Sequence, residues 1–153
     1  MKRTVVLGVG NLLLQDEGVG VHLAQALQAQ PLPPGVEVLD AGTAVWETLM
    51  VLGEVDQLIL LDAAHGGGEP GTIYRFRPED ISPSEQTMLS LHQIDLLQAL
   101  RMAELAGWQA RQVLILGIEP ATIGWGMHLS AVLAERFGAL VEAVRAEVQR
   151  LAG

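Results

Sequence analysis

The sequence predicts an α/β fold, a three-layer α/β/α sandwich with a mostly parallel five-stranded mixed sheet in which one strand is antiparallel. Three observations lead there. The runs "TVVLG", "QLILL" and "RQVLIL" are apolar without alternation, the pattern of strands covered on both faces. Segments with helical apolar spacing separate most of the strand-like runs. One pair of runs lies too close together for a helical crossover.

The elements follow in order along the chain. Thr4 to Gly8 reads as the first strand. Gly18 to Gln30 then carries a helical stripe at Val19, Leu23, Ala26 and Leu27. "PLPPG" makes a turn into a second strand, Val36 to Leu39, which ends at Asp40. Thr43 offers a hydroxyl to cap a short helix through Leu52. "QLILLDAAHGGG" is a third strand ending at Asp62, followed by a glycine loop. Thr72 to Phe76 begins only about ten residues later, so it runs antiparallel at one side of the sheet. A helix over Leu91 to Ala106, a fifth strand in "RQVLILGIEP" and a loop in "IEPATIGWGM" come next. The last helix, His128 to Leu151, has its stripe at Leu133, Phe137, Leu140, Val144, Val148 and Leu151. No linker, repeat or low-complexity tract interrupts the chain, so residues 1–153 form a single domain.

Composition narrows the function. Of 153 residues, half are hydrophobic and 18% are charged, which excludes a disordered chain and allows a sizeable core. The formal charge is −9 and the nine Lys and Arg are scattered, a poor match to nucleic acid. Cysteine is absent, which removes disulfides, thiolate catalysis and Cys-ligated metal clusters. "MKRTVVLGVGNLLL" has the outline of a signal peptide, but no small-residue cleavage site follows, and Asn11, Asp16 and Glu17 break it. No apolar run reaches the ~20 residues of a membrane span. The expectation is a cytoplasmic protein that binds neither nucleic acid nor membrane and is a monomer or weak homo-oligomer.

In an open parallel sheet, ligands bind beyond the carboxyl ends of the strands. Asn11, Asp16 and Glu17 follow strand one, Asp40 strand two, Asp62 and His65 strand three, and Glu119 strand five. Such a crevice repels pyrophosphate and attracts a divalent cation. The dinucleotide fingerprint also fails, because Leu13 stands where its third glycine belongs. Each acid has a structural alternative. Asp16 and Glu17 suit a helix N-terminus, Asp16 as a cap, and Asp40 begins a possible Asx-turn in "DAGT". Asp62 directly follows "LILL", where a carboxylate must meet a partner or a site. In "SLHQ", Ser90 and Gln93 match a capping box, which puts His92 in a first helical turn. The positive helix end keeps that imidazole neutral, as a ligand or a base requires, unless it is merely a surface residue. His22, His65 and His128 are weaker candidates.

Five blocks together resemble the hydrogenase maturation proteases, the endopeptidases that trim the large subunit of nickel-iron hydrogenases. They are "VVLGVGNLLLQDEGVGVHLAQAL", "VEVLDAGTAVWETL", "LILLDAAHGGGEPGTIYRF", "LSLHQIDLLQAL" and "LILGIEPATIGWGMHLS", in register over nearly the whole chain. The resemblance implies that Glu17, Asp62 and His92 are both the metal ligands and the catalytic set. It also implies a role for Asp40 at the site or in substrate recognition, and Asn11 is the second substrate-binding candidate. His22 stands where family members often carry a basic residue. The implied substrate is the nickel-loaded large-subunit precursor, cleaved once near its C-terminus. The implied cofactor is nickel brought by that substrate, so a purified sample would be empty or hold another divalent ion. Two carboxylates and an imidazole suit Ni²⁺ or Zn²⁺, and the peptidase mechanism, aspartic-type or metallo-type, is left open. The rival readings are a nickel carrier without peptidase activity, a peptidyl-tRNA hydrolase-like protein and a nucleotide-binding α/β protein. The proline expected after Asn11 in the tRNA hydrolases is absent.

Overall fold

A computed structural model describes residues 2–81 and 91–153, with the side chains of 91–94 left out of the description. Among the described residues the strands and α-helices run in the order β1 (Thr4–Val9), α1 (Val19–Gln28), β2 (Val36–Gly42), α2 (Val45–Leu52), β3 (Val55–Ala63), β4 (Ile73–Phe76), α3 (Leu91–Leu105), β5 (Ala110–Ile118) and α4 (Ala131–Ala152). The sheet order is β2-β1-β3-β5-β4. β1 pairs in parallel with β2 and β3, and β3 with β5. β4 alone is antiparallel, pairing Ile73 with Ile118 and Phe76 with Ile115. The short connection after β3 has the consequence that the sequence predicts for it.

Alternate residues of the central strands feed two cores. Val6, Ile59, Leu61, Leu116 and Ile118 meet Leu23 and Leu27 of α1 and Leu133, Leu140 and Val144 of α4. Val5, Leu7, Leu58, Leu60 and Ile115 meet Leu49 of α2 and Leu96, Leu100 and Ala103 of α3. Helices therefore cover both faces, and the central strands are buried throughout, which is why their sequences run apolar without alternation. These are the three layers predicted.

Element ends shift in explicable ways. α1 begins at Val19 and ends at Gln28, because the preceding turn, Asp16–Gly18, is a 3₁₀ turn rather than helix. β2 runs on to Gly42. Thr43 caps nothing: Ala44 is the N-cap of α2 and makes no side-chain cap bond, one residue too late for the Thr43 hydroxyl. α4 starts at Ala131, three residues after the predicted His128, where the Ser130 hydroxyl accepts the Leu133 N–H at 3.4 Å. The predicted capping box lies outside the described residues at Ser90, and so does the side chain of Gln93. Among the described residues, no helix is long and apolar enough to cross a membrane.

Candidate functional site

The loop after β1 delivers the first carboxylate. Asn11 Oδ1 accepts the Leu13 N–H at 2.9 Å, an Asx-turn that starts the loop. The chain then returns over its own start: a Cβ on Gly10, whose φ is +136°, would stand 2.1 Å from the Glu17 carbonyl oxygen. α1 is seated just as closely, since a Cβ on Gly20 would lie 2.0 Å from the Leu61 carbonyl oxygen. The early glycines thus serve backbone contact, not a phosphate. They bring the 3₁₀ turn that bears Glu17 against the carboxyl ends of β1 and β3.

Asp62 stands at the end of β3, 1% exposed, with its Oδ1 accepting the Ala63 N–H at 2.8 Å. By strand alternation its side chain shares the α2/α3 face with Leu58 and Leu60. There it lines a narrow cleft with Ala64, Phe76, Ile81, Leu96 and Leu97. A carboxylate in so apolar a place must meet a polar partner or a site. Leu96 and Leu97 belong to α3, whose first turn holds residue 92. The His92 side chain itself lies outside the described residues. Asp40 Oδ1 accepts the Gly42 N–H at 2.9 Å, and its Oδ2 lies 3.5 Å from the Gln25 amide nitrogen. The Asx-turn reading of "DAGT" is therefore met, on an exposed carboxylate at the same end of the sheet.

Asp16 is neither a ligand candidate nor the cap that the sequence suggests. No side chain caps its own turn. Its fully buried carboxylate instead accepts the backbone N–H groups of Ala121 and Thr122, both at 2.9 Å, and of Ser130 at 2.7 Å. The Asp16 N–H donates to the Thr122 carbonyl, the Gln15 N–H to the Gly126 carbonyl and the Gly126 N–H to the Leu13 carbonyl. The residue next to Glu17 is thus a clamp between two loops.

A second acid has a role that sequence spacing does not assign. Glu119, directly after β5, is 6% exposed, and its Oε1 accepts the Gly66 N–H at 2.8 Å, the Gly68 N–H at 3.2 Å and the Tyr74 hydroxyl at 2.7 Å. His65 Nδ1 lies 3.6 Å from its other oxygen. Burial pushes the Glu119 carboxyl up, but the Tyr74 hydroxyl, the glycine N–H groups and His65 outweigh it, and the net shift is down. The same hydrogen bond to Glu119, with burial, raises the Tyr74 phenol. The signal is the glycine run itself: three consecutive glycines leave backbone N–H donors open to an acceptor from a neighbouring strand end. His65, one of the weaker candidates, lies instead beside Glu119. His22 is turned inward on α1, and burial, then the neighbouring His128, holds its imidazole below the ordinary histidine value while Asp16 pulls the other way.

Glu17, Asp40 and Asp62 therefore gather at the carboxyl edge of adjacent strands. Among the described residues, no three His, Asp or Glu side chains form a group that could hold a metal ion. The third member of the predicted trio is His92, which is not among those side chains.

The chain resembles known proteins along nearly its full length. The family described as Hydrogenase maturation protease (HycI) matches residues 21–147. The hydrogenase expression/formation protein HupD of Rhodobacter capsulatus is 33% identical over 148 residues, covering 94% of this chain and 70% of that protein. The hydrogenase 2 maturation protease of Escherichia coli K12 is 37% identical over 123 residues, 79% of this chain and 75% of that one. The solved structure of the hydrogenase maturating endopeptidase HybD from Escherichia coli superposes with a TM-score of 0.80 at 33% identity, covering 97% of this chain and 93% of that chain.

Proposed function

The chain belongs to the hydrogenase maturation protease family, and from that premise we propose which substrate it cleaves and how it recognises it. It is a peptidase that removes a short C-terminal peptide from the precursor of a nickel-iron hydrogenase large subunit, in the cytoplasm and after nickel insertion. Nickel arrives as part of the substrate. Glu17, Asp62 and His92 meet it, and Asp40 and Asn11 contact the polypeptide around it.

The observation that carries this reading is that the turn bearing Glu17 and the strand position of Asp62 lie at the same end of the sheet. Glycine backbone contacts press the Glu17 turn onto β1 and β3, and Asp62 is the penultimate residue of β3. α3 supports the third position. It leads through Gly107 into the start of β5, so it runs antiparallel to the parallel strands and begins at their carboxyl ends. Position 92 lies one turn before Leu96, which lines the same cleft as Asp62. Two carboxylates and an imidazole are an oxygen/nitrogen set suited to a divalent ion whose other ligands come from elsewhere. Such a set explains selectivity: the scissile bond is presented only once the ion is in place. Held there by Glu17, Asp62 and His92, the ion would supply Lewis acidity next to the bond. With no cysteine in the chain, a thiolate nucleophile is excluded.

The test is to incubate the purified protein with nickel-loaded and nickel-free precursor and to follow the precursor's mass. Loss of one C-terminal peptide from the loaded form alone is expected. Nickel transfer without any mass change would make the protein a carrier, and equal cleavage of both forms would remove nickel from recognition.

A further inference from the structure

The loop that Asp16 clamps exposes an apolar surface. Trp125 is 84% exposed, Met127 60%, Ile123 45% and Leu13, from the facing loop, 49%. Exposed side chains of this size usually sit on flexible segments, yet this surface is fixed. Gln15 N–H donates to the Gly126 carbonyl and Gly126 N–H to the Leu13 carbonyl, both at 2.9 Å. Bridges pair Leu14 with Gly126 and Gln15 with Ile123, and the Asp16 carboxylate holds Ala121, Thr122 and Ser130. From Pro120 to Leu129 the chain has no Asp, Glu, Lys or Arg, in a protein whose formal charge is −9. A rigid, uncharged platform with a central tryptophan has the make-up of an interface hot spot.

We propose that Leu13, Ile123, Trp125 and Met127 form the docking surface for the folded body of the hydrogenase large-subunit precursor, through an apolar patch beside its scissile segment. This rests on the function proposed above. Continuity with the site selects the occupant: Leu13 lies four residues before Glu17 on the same loop, and Asp16 links that loop to the one carrying Trp125. A protein seated on the platform therefore has its nearest segment at Glu17. Among the other exposed apolar side chains, Val51, Met102 and Leu105 lie toward the C-terminal ends of α2 and α3, at the opposite end of the strands, while the less exposed Trp46 and Val132 open α2 and α4. Because the platform is uncharged, its contribution is insensitive to salt.

The experiment measures the equilibrium Kd of nickel-loaded precursor for the full-length protein, independently of cleavage. Trp125→Ala is expected to weaken binding at least tenfold at both low and high salt, Trp125→Phe to recover most of it, and Leu105→Ser to leave it unchanged. Circular dichroism confirms the fold of each variant. An unchanged Kd for Trp125→Ala overturns the proposal, as does loss of self-association in that variant with precursor binding intact, which would assign the surface to a second copy of this chain. If wild type binds the precursor through Trp125 but does not cleave it, the peptidase reading fails while the docking surface stands.

Discussion

Asp16 Oδ1 accepts the Ser130 backbone N–H at 2.7 Å, joining residues 114 apart in sequence and tying the loop after β1 to the N-cap of α4. With the bonds from Ala121 and Thr122, one buried carboxylate holds three backbone donors. Each such bond to a charged acceptor contributes about 1.5–3 kcal/mol, less than additively. Asp16→Ala is therefore expected to cost about 3–5 kcal/mol, because three backbone N–H groups lose one charged acceptor and the tie between the two loops goes with it. That corresponds to a fall of roughly 10 °C in Tm for a domain of this size. Asp16→Asn should fall between, since its amide nitrogen turns a donor toward donors. Thermal unfolding monitored by circular dichroism decides it, and a Tm for Asp16→Ala within a degree or two of wild type would mean that the clamp carries no stability.

Gly20 makes a second, sharper prediction. A Cβ there meets the Leu61 carbonyl oxygen at 2.0 Å and the Val9 carbonyl oxygen at 2.6 Å, both backbone atoms of the central sheet. Neither can rotate away, so α1 must lift from β1 and β3. Gly20→Ala is expected to destabilise by about 3 kcal/mol or more, although alanine favours helices. Processing should fall with it, because the Glu17 turn rides on the start of α1. A urea midpoint equal to wild type would show that the helix has room to move.

The layers were legible because their cause is local. β3 is buried on both faces, and "QLILL" states this directly. The antiparallel β4 followed from chain length alone. The acids at strand ends were also legible as a group, but not their separate duties, which depend on what faces them across the fold. Asp16 looked like a helix cap because its neighbours in sequence are a helix start, whereas its partners are more than 100 residues away. Glu119 was visible as a strand-end acid, yet only the folded loop shows Gly66, Gly68 and Tyr74 converging on it. Thr43 failed as a cap by one residue, the scale on which pattern reading of helix ends fails.

The proposed metal-sensing residues predict a different signature from either structural position. Glu17 is half-buried on a turn that backbone contacts hold in place. Glu17→Gln should leave Tm close to wild type while reducing processing of nickel-loaded precursor by about 10²-fold or more, the scale for losing a metal-site group. Asp62→Asn and His92→Ala should reduce processing similarly. Cleavage is read by mass and stability by thermal melt on the same preparations. If any two of the three variants process at near wild-type rates, the ligand assignment is wrong.

Glu119 and Tyr74 set both pH limits of the glycine loop. The Glu119 carboxyl is lowered in the folded protein, so its contribution is present above the ordinary glutamate value of about 4.3 and is lost as pH falls through the lowered native one. The Tyr74 phenol is raised, so its contribution is present below about 10 and is lost as pH rises through the raised native value. Wild type should therefore exceed Glu119→Gln by about 1–2 kcal/mol between roughly pH 5 and pH 10, with the gap closing on both sides. Tyr74→Phe should abolish only the alkaline limb that this pair contributes, since Gly66 and Gly68 still donate to the carboxylate. Urea unfolding of the three proteins across that pH range tests it. A gap that widens toward acid would reverse the sign and show that Glu119 is held protonated, as donor rather than acceptor.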